Sequence, residues 1–448
     1  MESTSAETAA VDGVPVGVAV GGDEAVRVGL DSSEVQAAGA RGPLQGLRVF
    51  DFTSYWAGPC ATQVLAWFGA DVVKVESVQR PDGTRMGSAY ATSGDRPWEL
   101  APLFHGTNTG KRGVTVDLGR PEGVELARRL LGVCDIFVEN YSPRVVERFG
   151  LLPDDGARPD LIVARMPAWG LSGPWREQPG FAQNMEQATG LAYITGHPDA
   201  RPVVPRGVCD PLGGLHAAFA ILAAVRLRRS TGRGQHIEAP LVDAALNVAA
   251  GQVIGWTAHG ELAERRGNRS AAAAPQGVYP CGPDGGFLAL SVETDAQWRR
   301  LTDLLGHPVW AAPGDLADAA ARHRRHDRLD DWLRTRLGDA PDRLALVERL
   351  LAHGVPAADV VAAEHVQDHP QFAARGFFQE IDHEVAGRLA IPLFPARWQN
   401  GASPAHSRPA PGLGEHNQEI FGDLLGLTPA ELATLEATHI IGTQPATH

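Results

Sequence analysis

Between residues 47 and 76 a short apolar run, a loop, an apolar helical stretch and a second apolar run follow one another directly. Leu47–Phe52 reads as a strand and Thr53–Pro59 as a loop. Cys60–Phe68 reads as a helix ended by Gly69-Ala70-Asp71, and Val72–Glu76 as the next strand. Two such strands joined by a crossover helix must lie parallel in one sheet. Further short apolar runs extend that sheet at Asp135–Asn140 and Leu161–Arg165, with a helix predicted over Pro121–Leu131, where a proline opens the first turn. The expected fold is α/β, with a parallel Rossmann-like sheet in a large domain. The loop after the first strand precedes a helix N-terminus, whose free N–H groups suit an anion such as phosphate. It lacks the G-x-G-x-x-G spacing, so a dinucleotide fingerprint is absent.

Residues 201–247 pose a second question. Asp210 stands between a proline-broken apolar run, Val203-Val204-Pro205, and the step Gly213-Gly214, ahead of an apolar segment, Leu215–Leu227, patterned as a buried helix. An acid there has two readings. It caps the helix, or it is a carboxylate nucleophile with small neighbours that clear space for an acyl group. Local pattern leaves both open.

At 448 residues the chain exceeds one ordinary domain. The net charge of −13 and the lack of a basic block argue against nucleic acid, while local Arg and Lys residues remain able to bind an anionic cofactor. Cys60, Cys134, Cys209 and Cys281 are scattered without a CxxC pair, so reduced thiols are expected and neither a metal site nor a disulfide framework. No stretch is expected to span a membrane, and the N-terminus lacks a signal-peptide pattern; a cytoplasmic protein is expected. Residues 1–43, dominated by small and acidic side chains, are expected to be a mobile extension, with Val14–Val20 as a candidate strand.

The motifs, taken in order, resemble those of the family III CoA-transferases. Val208-Cys209-Asp210-Pro211-Leu212-Gly213-Gly214, then Arg229-Ser230-Thr231-Gly232-Arg233-Gly234-Gln235 and Asp243-Ala244-Ala245-Leu246, resemble the nucleophile region of that family. Asp51-Phe52-Thr53, Ala57-Gly58-Pro59, Gly69-Ala70 and Lys74-Val75-Glu76 match its first β–α–β unit. Gly267-Asn268-Arg269, Gly354-Val355-Pro356 and Leu413-Gly414-Glu415-His416 match later segments. The resemblance spans residues 44–425.

It implies that Asp210 is the nucleophile in CoA transfer between an acyl-CoA and a carboxylic acid, through an aspartyl-CoA thioester. It implies CoA contacts at Tyr55, Trp56, Ala57, Arg85, Lys111, Arg112, Asn140, Tyr141 and Arg148, and a substrate pocket at Trp169, Phe181, Gly213 and Gly214. For Lys111 and Arg112, solvated surface charge is the ordinary alternative. The resemblance also implies a large domain of 44–250 and 373–448, a linker at 251–276, a smaller inserted α/β domain at 277–372, and an interlocked homodimer. The arginine-rich stretch Arg322–Arg336 reads as a solvated face.

Two positions depart from the family pattern. Phe181 stands where the racemase branch has a histidine, and phenylalanine carries no proton to exchange. Ala182 stands where many transferases have a carboxylate; Glu186, one helical turn on, is a candidate to compensate. An α-methylacyl-CoA racemase-like isomerase and a non-catalytic CoA-binding relative are the alternative readings.

Overall fold

The computed structural model describes residues 42–86, 94–152, 157–312, 314–399 and 403–446. The expected extension at 1–43, except its last two residues, and its candidate strand Val14–Val20 lie outside the described residues.

The large sheet is built from β1 (Arg48–Phe52), β2 (Asp71–Glu76), β3 (Arg112–Thr115), β4 (Ile136–Glu139), β5 (Ile162–Arg165) and β6 (His236–Glu238). Its spatial order is β3-β2-β1-β4-β5-β6 and every pairing is parallel. The expected Rossmann-like sheet is therefore present. The strands alternate strictly. Val49, Val72, Ile136 and Ile162 stand in register across one face, and Phe50, Val73, Phe137 and Val163 across the other. All eight are buried, because helices cover both faces of the parallel sheet. At about 1.5–3 kcal/mol per fully buried large apolar side chain, these rows are a principal source of stability.

Helices α1 (Ala57–Trp67) and α2 (Cys209–Thr231) cover the first face. They approach closely because position 214 has no side chain: a Cβ there would lie 2.6 Å from the Ala57 carbonyl oxygen and 2.9 Å from Cys60 Cβ. Among the described residues, α2 is the one helix long and apolar enough to cross a membrane by length and composition, which corrects the expectation that no such stretch exists. Ala217, Ile221 and Val225 on its inner face are packed into the core, which accounts for part of the apolarity. The opposite side is not buried within the chain, contrary to the expected buried helix: Leu215, Phe219 and Leu227 are exposed, Phe219 by 75%.

The C-terminal stretch returns to the second face of the sheet, where Ile420, Phe421, Leu432 and Ile440 pack with Phe50 and Val73. A hairpin of Phe378–His383 and Gly387–Pro392 carries His383 to within 4.6 Å, centroid to centroid, of His105. His105 is buried with Nε2 on the Glu99 carbonyl and Nδ1 without a partner among the described residues. Burial, with His383 and Arg85 nearby, pulls the His105 imidazole down to about 4 despite the Glu99 hydrogen bond.

Strands Gln276–Pro280, Phe287–Ser291 and Ala357–Asp359 form a separate three-stranded antiparallel sheet with its own apolar cluster, centred on Leu288, Trp298, Leu333 and Leu350. The arginine-rich stretch is a solvated face with one correction. Arg322 is fully buried, bonded to the carbonyls of Ala274, Leu316 and Ala317 and to Asp295.

Candidate active site

In an open parallel sheet the crevice for a ligand lies beyond the carboxyl ends of the strands, where the strand order reverses. Here that point falls between β1 and β4. The two loops that leave these strands are tied together: Ser54 N–H donates to Asn140 Oδ1, and Asn140 Nδ2 donates to the Ser54 carbonyl, each at 2.8 Å. A cleft of about 190 Å³ opens there, lined by Ser54, Tyr55, Asn140, Tyr141, Arg176 and Phe181 among others.

Tyr55 stands at the mouth in a left-handed conformation, φ 66°, a strained region for a residue with a large side chain. What holds it is Asp82, a residue that sequence reasoning missed. Its carboxylate accepts the Tyr55 N–H at 3.0 Å and is paired with Lys74 at 2.8 Å, both side chains fully buried. The Pro81-Asp82-Gly83 turn pattern is the signal that was available. The Tyr55 ring meets Phe181 edge to face at 5.2 Å, and Trp56 packs over Gly207. Trp169, half-buried, bonds the Pro179 carbonyl behind Phe181.

Asp210 is the second residue of α2. The N-cap is Val208, and no side-chain cap hydrogen bond forms, so the capping reading fails on geometry. Among the described residues nothing donates to the Asp210 carboxylate. Burial, with Glu186 adding to it, pushes its pKa up to about 6. Cys60 of α1 faces the same point; burial pushes its thiol to about 11, with Lys111 opposing and Asp210 reinforcing. The room expected beside Gly213 and Gly214 is taken up by helix packing. A Cβ at 213 would lie 2.5 Å from Leu241 Cδ2, and position 214 closes on α1, including Ala57.

Tyr55, Asn140, Tyr141 and Phe181 thus converge on one cleft, Trp169 bonds Pro179 of its wall, and Trp56 packs on Gly207 of the turn that precedes Asp210. The other named cations lie elsewhere. Lys111 is fully buried, neither surface charge nor open to the cleft: Nζ meets Asp51 at 3.0 Å, Thr62, Asn108 and the Pro59 carbonyl. Burial pulls it down to about 8 against the pull of Asp51. Arg85 is also fully buried, bonded to Glu76, Glu99 and the Pro411 carbonyl. Arg112 opens β3 at the amino end of the sheet and pairs with Asp71 and Glu419. Arg148 is exposed in the last turn of the helix Pro143–Phe149.

The family model for CoA-transferase family III matches residues 44–417. The chain belongs to CoA-transferase family III. It is therefore a member of a transferase family. The succinyl-CoA–D-citramalate CoA-transferase of Chloroflexus aurantiacus is 31% identical, over 89% of this chain and 98% of the relative. The succinate–glutarate CoA-transferase of Agrobacterium fabrum is 33% identical, over 88% and 97%. A solved CAIB/BAIF family protein from Brucella suis superposes with a TM-score of 0.77 at 31% identity, covering 86% of this chain and all of that one. The family III match begins where the described β–α–β unit begins and includes both switch-point loops and α2.

Proposed function

We propose that this family III protein moves CoA from an acyl-CoA donor to a carboxylic acid acceptor, with Asp210 as the covalent nucleophile. The Asp210 carboxylate attacks the thioester carbonyl, giving a mixed anhydride and CoA thiolate. The thiolate attacks the aspartyl carbonyl and expels the donor's carboxylate, leaving an aspartyl-CoA thioester. The acceptor carboxylate attacks that thioester, forming a second anhydride and freeing the thiolate, which then attacks the acceptor's carbonyl and returns Asp210. Dividing one exchange into easier steps is the benefit of covalent catalysis. The observation that carries this reading is the unbonded, partly buried Asp210 carboxylate in the first turn of α2, with Cys60 of α1 and Glu186 as its neighbours. The helix N-terminus favours the negative charge that develops there.

Tyr55, Trp56, Ala57, Asn140 and Tyr141 are proposed to line the CoA path, whereas Arg85 and Lys111 are held in buried ion pairs and Arg112 lies at the opposite end of the sheet. Of the cations named from the sequence, Arg148 alone is exposed and is proposed to meet the cofactor's phosphates. Trp169 and Phe181 are proposed to bound the acyl group, whose apolar surroundings favour a substrate larger than formate. Residues 277–372 are proposed as an inserted domain following a linker at 251–276, and the assembly as an interlocked homodimer. Support for a second copy comes from the exposed apolar side chains Leu215, Phe219, Ile254 and Trp256 on and after α2.

Hydroxylamine trapping tests the mechanism. Incubation with a series of acyl-CoA thioesters should leave a hydroxamate at Asp210, found by peptide mass spectrometry and lost in Asp210→Asn. A hydroxamate at another residue, or full transfer by Asp210→Ala, sinks the assignment.

A further inference from the structure

We infer that Glu186 is a positioning residue for Asp210, holding the turn that carries it and keeping a second carboxylate beside it; this rests on the nucleophile reading above. Glu186 lies in the helix Ala182–Ala188 and is fully buried. Its Oε1 accepts the Gly207 N–H at 2.8 Å, and the Gly207 carbonyl accepts the Asp210 N–H at 3.2 Å. Gly207 sits at φ 101°, where a side chain is strained, and a Cβ would lie 3.0 Å from the Trp56 ring, a tight contact. The chain from Glu186 through Gly207 to Asp210 is therefore pinned from both sides.

That anchor uses one oxygen. The other, Oε2, is buried and has no hydrogen-bond partner, and no cation pairs with Glu186 among the described residues. A buried carboxylate without a cation is costly, and a glutamine amide would hold Gly207 equally well. The charge itself bears on two neighbours, Cys209, whose buried thiol is pushed up to about 11 and stays protonated, and Asp210. The other titratable groups on elements packed against α2 do not pair with it. Cys60 of α1 stays a thiol, Asp243 of the helix Leu241–Val248 is exposed, and Arg165 of β5 is committed to Glu139. On α2 itself His216 is exposed and bonded to the Leu212 carbonyl.

A neighbouring negative charge makes Asp210 more basic. This matters at the mixed anhydride, where the thiolate can attack either carbonyl. Attack at the aspartyl carbonyl expels the donor's carboxylate and goes forward; attack at the acyl carbonyl expels Asp210 and goes back. The more basic carboxylate is the poorer leaving group, so the Glu186 charge favours the aspartyl thioester.

The test needs no known substrate. The full chain is labelled with ¹³C at aspartate carboxyls, and Asp210 is assigned by difference from Asp210→Asn. Its titration between pH 4 and 8 is then followed in the wild type and in Glu186→Gln. We expect Glu186→Gln to fold normally and to lower the Asp210 midpoint by about one unit. Glu186→Ala, which also loses the Gly207 anchor, should lower the melting temperature as well. An unchanged midpoint in Glu186→Gln, or a wild-type midpoint at the ordinary aspartate value, overturns the inference. Retention of full transfer by Asp210→Ala would overturn the nucleophile reading instead, whatever the titration shows.

Discussion

Ser54 and Asn140 exchange a pair of hydrogen bonds across the point where the strand order reverses, so one side chain fixes the separation of both cleft loops. Asn140→Ala removes both bonds from a partly buried site. A loss of about 2 kcal/mol is expected in chemical denaturation, with a rise in KM for the acyl-CoA that exceeds any fall in kcat. Equal stability and KM would show that the loops hold their spacing without the clamp.

Asp210 links activity and stability in opposite directions. Its pKa in the folded protein, about 6, lies above the ordinary aspartate value. The folded state therefore binds this proton more tightly than the unfolded chain. The stabilisation is complete below the unfolded pKa and is lost as pH rises through about 6. Asp210→Asn should consequently stabilise the protein at pH 7.5 by about 1–2 kcal/mol, allowing for its partial exposure, while abolishing transfer. A destabilised Asp210→Asn protein would show that the carboxylate serves the fold.

How much of this was legible follows from the range of the interactions. The parallel sheet could be read because each strand is a local apolar run, and Asp210 stood out because its neighbourhood is contiguous. The fates of Lys111 and Arg85 could not be read. Asp51, the partner of Lys111, lies on β1 and is brought to it by the strand order, while Glu76 ends β2 nine residues before Arg85 and pairs with it through the fold of the intervening loop. Asp82 escaped notice because its role depends on the backbone of Tyr55, on the neighbouring strand's loop, and on the burial of its pair with Lys74. Gly213 and Gly214 were noticed as space, but the sequence does not say which neighbour fills it.

Phe181 supplies no exchangeable proton where the cleft opens beside Tyr55. In D₂O the enzyme should place no deuterium at the α-carbon of a 2-methylacyl-CoA, followed by mass spectrometry. Incorporation as fast as CoA transfer would revive the racemase reading.

His105 predicts an acid limit to stability. Its folded pKa, about 4, lies below the ordinary histidine value because of burial first and of His383 and Arg85 next. The stabilisation is present above the unfolded pKa near 6.5 and is lost as pH falls towards 4. His105→Gln should flatten the melting-temperature profile over that window by an amount equivalent to about 2–3 kcal/mol. An unaltered slope would place the acid sensitivity elsewhere.

The contact of Gly214 with α1 bears on how such a scaffold acquires new substrates. A helix whose neighbour's backbone occupies the place of its Cβ can neither slide nor turn without a collision. The backbone that carries Asp210 is consequently held against its neighbour helix. Variation in substrate choice must then accumulate at the aromatic pair Tyr55 and Phe181, both exposed and neither wedged between helices. Divergence within such a lineage, or a laboratory library aimed at a new acyl group, should find tolerated substitutions at 181 and almost none at 214.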